Sequence, residues 1–233
     1  MFNALGSPPG VATWAFVVVV GVLLPILVIR QHYALKGGAM PAPSRPQLYL
    51  SALATHALLV LGVGATVLAD DVWLFPPWSV DEGRVLAATV ALAIGLVLLF
   101  ERFRVADELA KSRSRLIAPR TAKEFAAFCG VALSAGVTEQ LAYRGVLFSF
   151  LLWYTGSFWA AALLAAIPFG LVHLFQGWRS AVIVMVIALR DQLLVAITGT
   201  LVYAIAIHVI HDIIAGAVLM RRVRREEAQI AVS

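Results

Sequence analysis

Residues 125–153 read FAAFCGVALSAGVTEQLAYRGVLFSFLLW, an apolar run into which Glu139, Gln140 and Arg144 are set within six residues. About 20 apolar residues in a helix cover the ~30 Å of hydrocarbon in a bilayer, so by length this is a membrane-crossing helix. Ionisable groups at that depth cost a few kcal/mol or more each and mark functional sites. A carboxylate, an amide and a guanidinium retained there show where to look for chemistry.

The rest of the chain agrees with a membrane setting. Of 233 residues, 61% are hydrophobic and only 13% charged, against roughly 25% charged in soluble domains, and the mean hydropathy is +0.91. Apolar runs fall at 11–29, 48–69, 84–100, 126–153, 157–175, 180–198 and 200–220. The expected fold is therefore all-α, a polytopic transmembrane helical bundle of about seven spans. The third run is short, and Arg190-Asp191-Gln192 interrupts the sixth. The polar segments are too short for a soluble domain, so residues 1–233 read as a single integral membrane domain: N-terminal helices and a surface segment over 1–124, a core over 125–220 and a basic tail over 221–233. Residues 1–10 carry no Lys or Arg, whereas Arg30, Lys36 and Arg45 follow the first run; that is the reverse of a signal peptide, so the run is read as a retained helix. The prolines of Pro41–Pro46 predict an extended linker. The lone cysteine, Cys129, excludes an internal disulfide.

The segments 30–47, 101–125, 176–179 and the tail after Met220 hold 3, 7, 1 and 4 Lys/Arg, while the intervening segments hold one, Arg84. This alternation predicts N-terminus out and C-terminus in. It also accounts for the net charge of +5 as an attraction to the anionic inner leaflet; the lipid bilayer is the expected partner and nucleic acid is not. Segment 101–125 mixes seven basic with four acidic residues and reads as a surface helix.

Three later runs carry polar groups. Gln140 and Arg144, spaced i, i+4, could hydrogen-bond along their helix, which leaves Glu139 free for chemistry. Phe169 and His173 stand one turn apart, just after Pro168. His208 and Asp212 share a face, whereas His211 points off it. Arg190 and Asp191 are expected to pair, with each other or across helices; the alternative is a distorted helix lining a wet cavity. One carboxylate and an imidazole can hold and deprotonate a water, and a second imidazole with a polar neighbour can stabilise the oxyanion formed when that water attacks a peptide carbonyl. The donors Glu139, His173 and His208 could instead ligate zinc and lower the pKa of its bound water.

These motifs resemble the CPBP family of CAAX prenyl endoproteases and bacteriocin-processing proteins, polytopic intramembrane proteases. The family pattern of Glu-Glu-x-x-x-Arg, Phe-x-x-x-His and His-x-x-x-Asn/Asp is met here by Glu139-Gln140-Leu-Ala-Tyr-Arg144, Phe169-Gly-Leu-Val-His173 and His208-Val-Ile-His-Asp212. The first three runs carry no usable signature. The resemblance implies an intramembrane endopeptidase acting on a membrane-associated protein or peptide. In it Glu139 activates water with His173, His208 and Asp212 stabilise the oxyanion, and Gln140, Arg144 and Phe169 give structural support. A bacterial inner membrane is the expected location. Two departures stand out: Gln140 replaces the second Glu, and Asp212 can donate to an oxyanion only when protonated.

On these terms Glu139→Gln should abolish cleavage and Gln140→Ala should leave most of it. Depth is the difficulty. Counted at ~1.5 Å per residue from the ends expected to face the cytoplasm, Glu139 and His208 fall at about 20 Å but His173 at about 5–10 Å. A transporter with a proton or ion path through the same residues is an alternative, although no internal repeat is visible. A non-catalytic relative acting as an immunity or scaffold protein is another.

Overall fold

A computed structural model describes residues 4–74 and 113–230. Six helices of several turns run through them: α1 (Val11–Lys36), α2 (Arg45–Asp70), α3 (Ala122–Thr155), α4 (Phe158–Val172), α5 (Trp178–Thr198) and α6 (Val202–Ile230). The described residues contain no strand, and the chain is an all-α membrane protein. Helices α1, α2, α3, α5 and α6 are long and apolar enough to cross a bilayer, whereas α4, at 15 residues, is shorter. Their outer faces are greasy: Leu61 is 70% and Leu68 86% exposed, a liability in water and the normal lipid contact in a membrane. The run expected at 84–100 lies outside the described residues, as does most of segment 101–125. The described end of that segment is one helical turn, Ser114–Ile117, followed by extended chain.

The helix ends follow local chemistry. Residues 41–43 carry no regular structure, and α2 then starts from the extended Ser44, whose backbone N–H donates to Gln47 Oε1 at 2.8 Å, with Pro46 in the first turn where no N–H is missed. Thr121 caps α3 by accepting the Glu124 N–H, and Ser157 caps α4 by accepting that of Ala160. Gly156, at φ 60°, closes α3, so α3 and α4 form a tight hairpin.

Helix α3 is central, with α2 on one side, α6 on the other and α4 folded back along its second half. The α3–α6 contact is close because Gly136 has no side chain; a Cβ there would run into Val209 of α6. Over Gln140–Leu147 the α3 backbone opens into a π-helix, a rare widening frequent at functional sites. Helix α5 passes through Arg190-Asp191-Gln192 unbroken. Helix α6 continues through the basic tail to Ile230 and is tied to segment 113–121 by Arg115–Glu226 and Arg120–Glu227 ion pairs, both 3.0 Å.

The depth difficulty disappears once depth is counted from the α3–α4 turn. Glu139 stands sixteen residues before Thr155 and His173 fifteen after Phe158, so both lie about 23 Å along their helices from the same turn. His208 reaches that level because the α5–α6 turn is sunk within the protein, with Thr200 and Leu201 buried.

Candidate active site

A cavity of about 440 Å³ opens beside α3. Glu139, His173, His208 and Asp212 all line it, together with His56 and His211. Its remaining wall is largely apolar, with Leu24, Val28, Leu59 and Val131 among the contributors. It extends past Tyr49, Ile117 and Leu219, toward the end of the bundle that bears Lys36, Arg45 and the Arg221–Arg225 cluster.

Glu139 projects from the last α-helical turn of α3 before the π-helix. Its Oε2 lies 3.7 Å from His208 Nε2 and its Oε1 3.6 Å from His56 Nε2. Both distances are longer than closed hydrogen bonds. Oε2 is buried without a hydrogen-bond partner among the described residues, as are the Tyr143 hydroxyl and His211 Nδ1 on the same cavity. Buried polar atoms are normally satisfied, so orphans grouped on one cavity mark a place for water or a polar ligand.

The partners fix the imidazole tautomers. At the end of α4 the His173 N–H turns back to Gly170 O, which frees the Phe169 carbonyl for His173 Nδ1 at 2.7 Å. A carbonyl only accepts, so Nδ1 carries the proton and a neutral His173 keeps Nε2 as a base. His173 also lies within electrostatic reach of Glu139. His208 is set the opposite way. The Gln140 amide nitrogen gives one hydrogen to Asp191 Oδ2 at 2.8 Å and the other to His208 Nδ1 at 3.0 Å. The Nε2–H of His208 then faces Glu139 and, at 3.4 Å, Asp212 Oδ2.

Gln140 therefore does not hold Arg144, as the i, i+4 spacing led one to expect. Asp191 reaches in from α5 and takes the amide, while Arg144, 2% exposed, sits with its guanidinium 3.8 Å from the same carboxylate and 4.1 Å above the Phe169 ring. The two side chains share Asp191 rather than each other. Arg190 donates to Asp191 Oδ1 from Nε and Nη2, at 2.8 and 2.6 Å, so the pairing expected of these neighbours is present. Sequence reasoning missed His56, on a helix without a recognised motif, and the part Asp191 plays beneath the site.

The proposed zinc donors Glu139, His173 and His208 fit a metal poorly. Among the described residues no three His, Cys, Asp or Glu side chains are grouped to hold an ion; and although His173 Nε2 has a free lone pair, His208 accepts from Gln140 at Nδ1, so its Nε2 carries the proton and offers a metal none. No step below runs through a metal.

Compared with known families, residues 121–214 match the model of the type II CAAX prenyl endopeptidase Rce1-like family, a stretch from the α3 cap to just beyond Asp212. The resemblance read from the three motifs is thereby borne out, and the family is one of proteases. No curated protein and no solved structure matches the chain.

Proposed function

We propose that this chain, an integral membrane protein whose residues 121–214 match the model of the type II CAAX prenyl endopeptidase Rce1-like family, is an intramembrane endopeptidase that hydrolyses a peptide bond by Glu139- and His173-activated water. The observation that carries this reading is that Glu139, His173, His208 and Asp212, from three different helices, line one cavity. Its apolar walls suit a hydrophobic or lipid-anchored peptide.

In the proposed reaction a water sits between Glu139 and His173 Nε2 and gives one of these a proton while its oxygen bonds to the substrate's carbonyl carbon. Negative charge collects on the carbonyl oxygen, and the His208 Nε2–H stabilises it. The C–N bond then breaks, the proton taken from water passes to the departing amine, and acid and amine leave. Asp212 Oδ2, 3.4 Å from the same Nε2, attracts that hydrogen in the resting site and yields it to the oxyanion; as a carboxylate it orients the donor rather than donating itself. The polar groups gather at one level between apolar walls, which favours hydrolysis over an ion path through the bilayer. The loop charges support an orientation with the cavity's extended end toward the cytoplasm, and a bacterial inner membrane is the location that goes with this reading.

The test compares newly formed N-termini of membrane proteins, by mass spectrometry, in cells making the wild type or Glu139→Gln. Cleavages present with the wild type and lost with Glu139→Gln are expected. A wild-type cleavage pattern from Glu139→Gln would overturn the assignment.

A further inference from the structure

Glu139 has a second imidazole on it, and that one comes from the half of the chain outside the family match. His56 lies on α2, is 7% exposed, and sets its ring between two atoms of α3: Nδ1 is hydrogen-bonded to Ser134 Oγ, and Nε2 faces Glu139 Oε1 at 3.6 Å. Only one proton arrangement of a neutral ring suits both neighbours. Were Nδ1 to donate to Ser134, the bare Nε2 lone pair would point at a carboxylate. With the Ser134 hydroxyl donating to Nδ1, Nε2 carries the hydrogen that Glu139 attracts, and a protonated ring would present the same hydrogen. The result mirrors the other side, where Gln140 sets His208 and Nε2 faces Oε2.

From this geometry we infer that His56 is a positioning residue, held by Ser134, that fixes the Glu139 carboxylate by its Oε1 edge and thereby presents Oε2 to the water. The inference rests on the protease reading and extends it: the site is completed by α2. A carboxylate on a flexible side chain needs such a tether. Tethered from one side only, it could swing toward His208 and close the gap the water needs, and a misplacement of ~1 Å costs roughly 100-fold in rate. His56 also lines the cavity wall, so its contact with Glu139 can tighten when substrate excludes water.

The test uses the full chain in liposomes and a synthetic peptide spanning whichever site the wild type cleaves most strongly in the N-terminus comparison. His56→Ala is expected to lower kcat about 100-fold with KM within about two-fold. His56→Gln, whose amide can accept from Ser134 and donate to Glu139, should recover to within about ten-fold of the wild type. Adding His56→Ala to Glu139→Gln should cost nothing further, because the tether acts through the carboxylate. Full kcat in His56→Ala alongside an inactive Glu139→Gln would overturn the role of His56 and leave the protease reading standing. An active Glu139→Gln would remove the protease reading itself. A measurement free of catalysis and substrate is the ¹⁵N resonance of the His56 ring in imidazole-labelled protein: Glu139→Gln should shift Nε2, and an unchanged resonance would show that the two side chains do not meet.

Discussion

Introducing a carboxylate at position 140, Gln140→Glu, should damage this protein. Gln140 and Asp191 are wholly buried, and the amide nitrogen is 2.8 Å from Asp191 Oδ2. Two unit charges at that separation repel by about 6 kcal/mol at an effective dielectric of 20. Arg190, on the far oxygen of Asp191, and Arg144, 3.8 Å from the near one, offset roughly half of that. The hydrogen bond to His208 Nδ1 is also lost, which costs about 1 kcal/mol. A net destabilisation of about 3–4 kcal/mol follows, or on the order of 10 °C in Tm for a chain of this size. The only cysteine, Cys129, is partly buried, so a thiol-reactive dye can follow unfolding in detergent. Gln140→Glu combined with Asp191→Asn transposes amide and carboxylate and should recover at least half the loss, a coupling that a double-mutant cycle isolates. A Gln140→Glu protein as stable as the parent, with no rescue by Asp191→Asn, would refute the hydrogen-bonding scheme beneath the site.

Glu139→Gln should lower kcat by about 1,000-fold or more, within the range for loss of a general base, as measured on the liposome peptide assay. Gln140→Ala, which the spacing alone marked as mild, should now cost about ten-fold or more in kcat, because His208 loses the donor that fixes its tautomer; full activity would count against that role. Dialysis against a chelator should leave cleavage intact, and loss of activity restored by added zinc would revive the metal alternative. Gly136→Leu should cost about 1–3 kcal/mol by driving α3 from Val209, whereas Gly64→Ala, with nothing within 4 Å of the added carbon, should be neutral or slightly stabilising; dye-monitored melting checks both.

The long apolar helices were legible because hydrocarbon imposes a length and a composition on any helix that crosses it. The motif residues were legible for a related reason: Glu139, His173, His208 and Asp212 stand out where every polar atom must be accounted for. The Arg190–Asp191 pairing could be expected from adjacency alone. Partners across helices are a different matter. Spacing says that Gln140 could reach Arg144, but it does not say that Asp191, fifty-one positions later, lies 2.8 Å away and binds the amide first. Arg144 could have met only the amide oxygen of Gln140, whereas the buried Asp191 carboxylate, with no water to fall back on, draws in the amide nitrogen and so sets how the side chain lies.

His56 was hidden by the same logic in reverse. A single histidine in an apolar helix says nothing of its role until its neighbours are known, and both of its neighbours lie on α3, Ser134 and Glu139. One reading of the sequence could have pointed to it: Ser134 and Glu139 are both polar in a stretch where each needs a partner, and the motif helices supply none for Ser134. The depth count failed for a simpler reason. Helix ends inferred from hydropathy drift by several residues, at ~1.5 Å each, whereas the Gly156 turn pins α3 and α4 to one origin. Measured from that shared turn, the base and the imidazole expected to work together come out level, so the hairpin, more than either helix alone, sets where a water could be held.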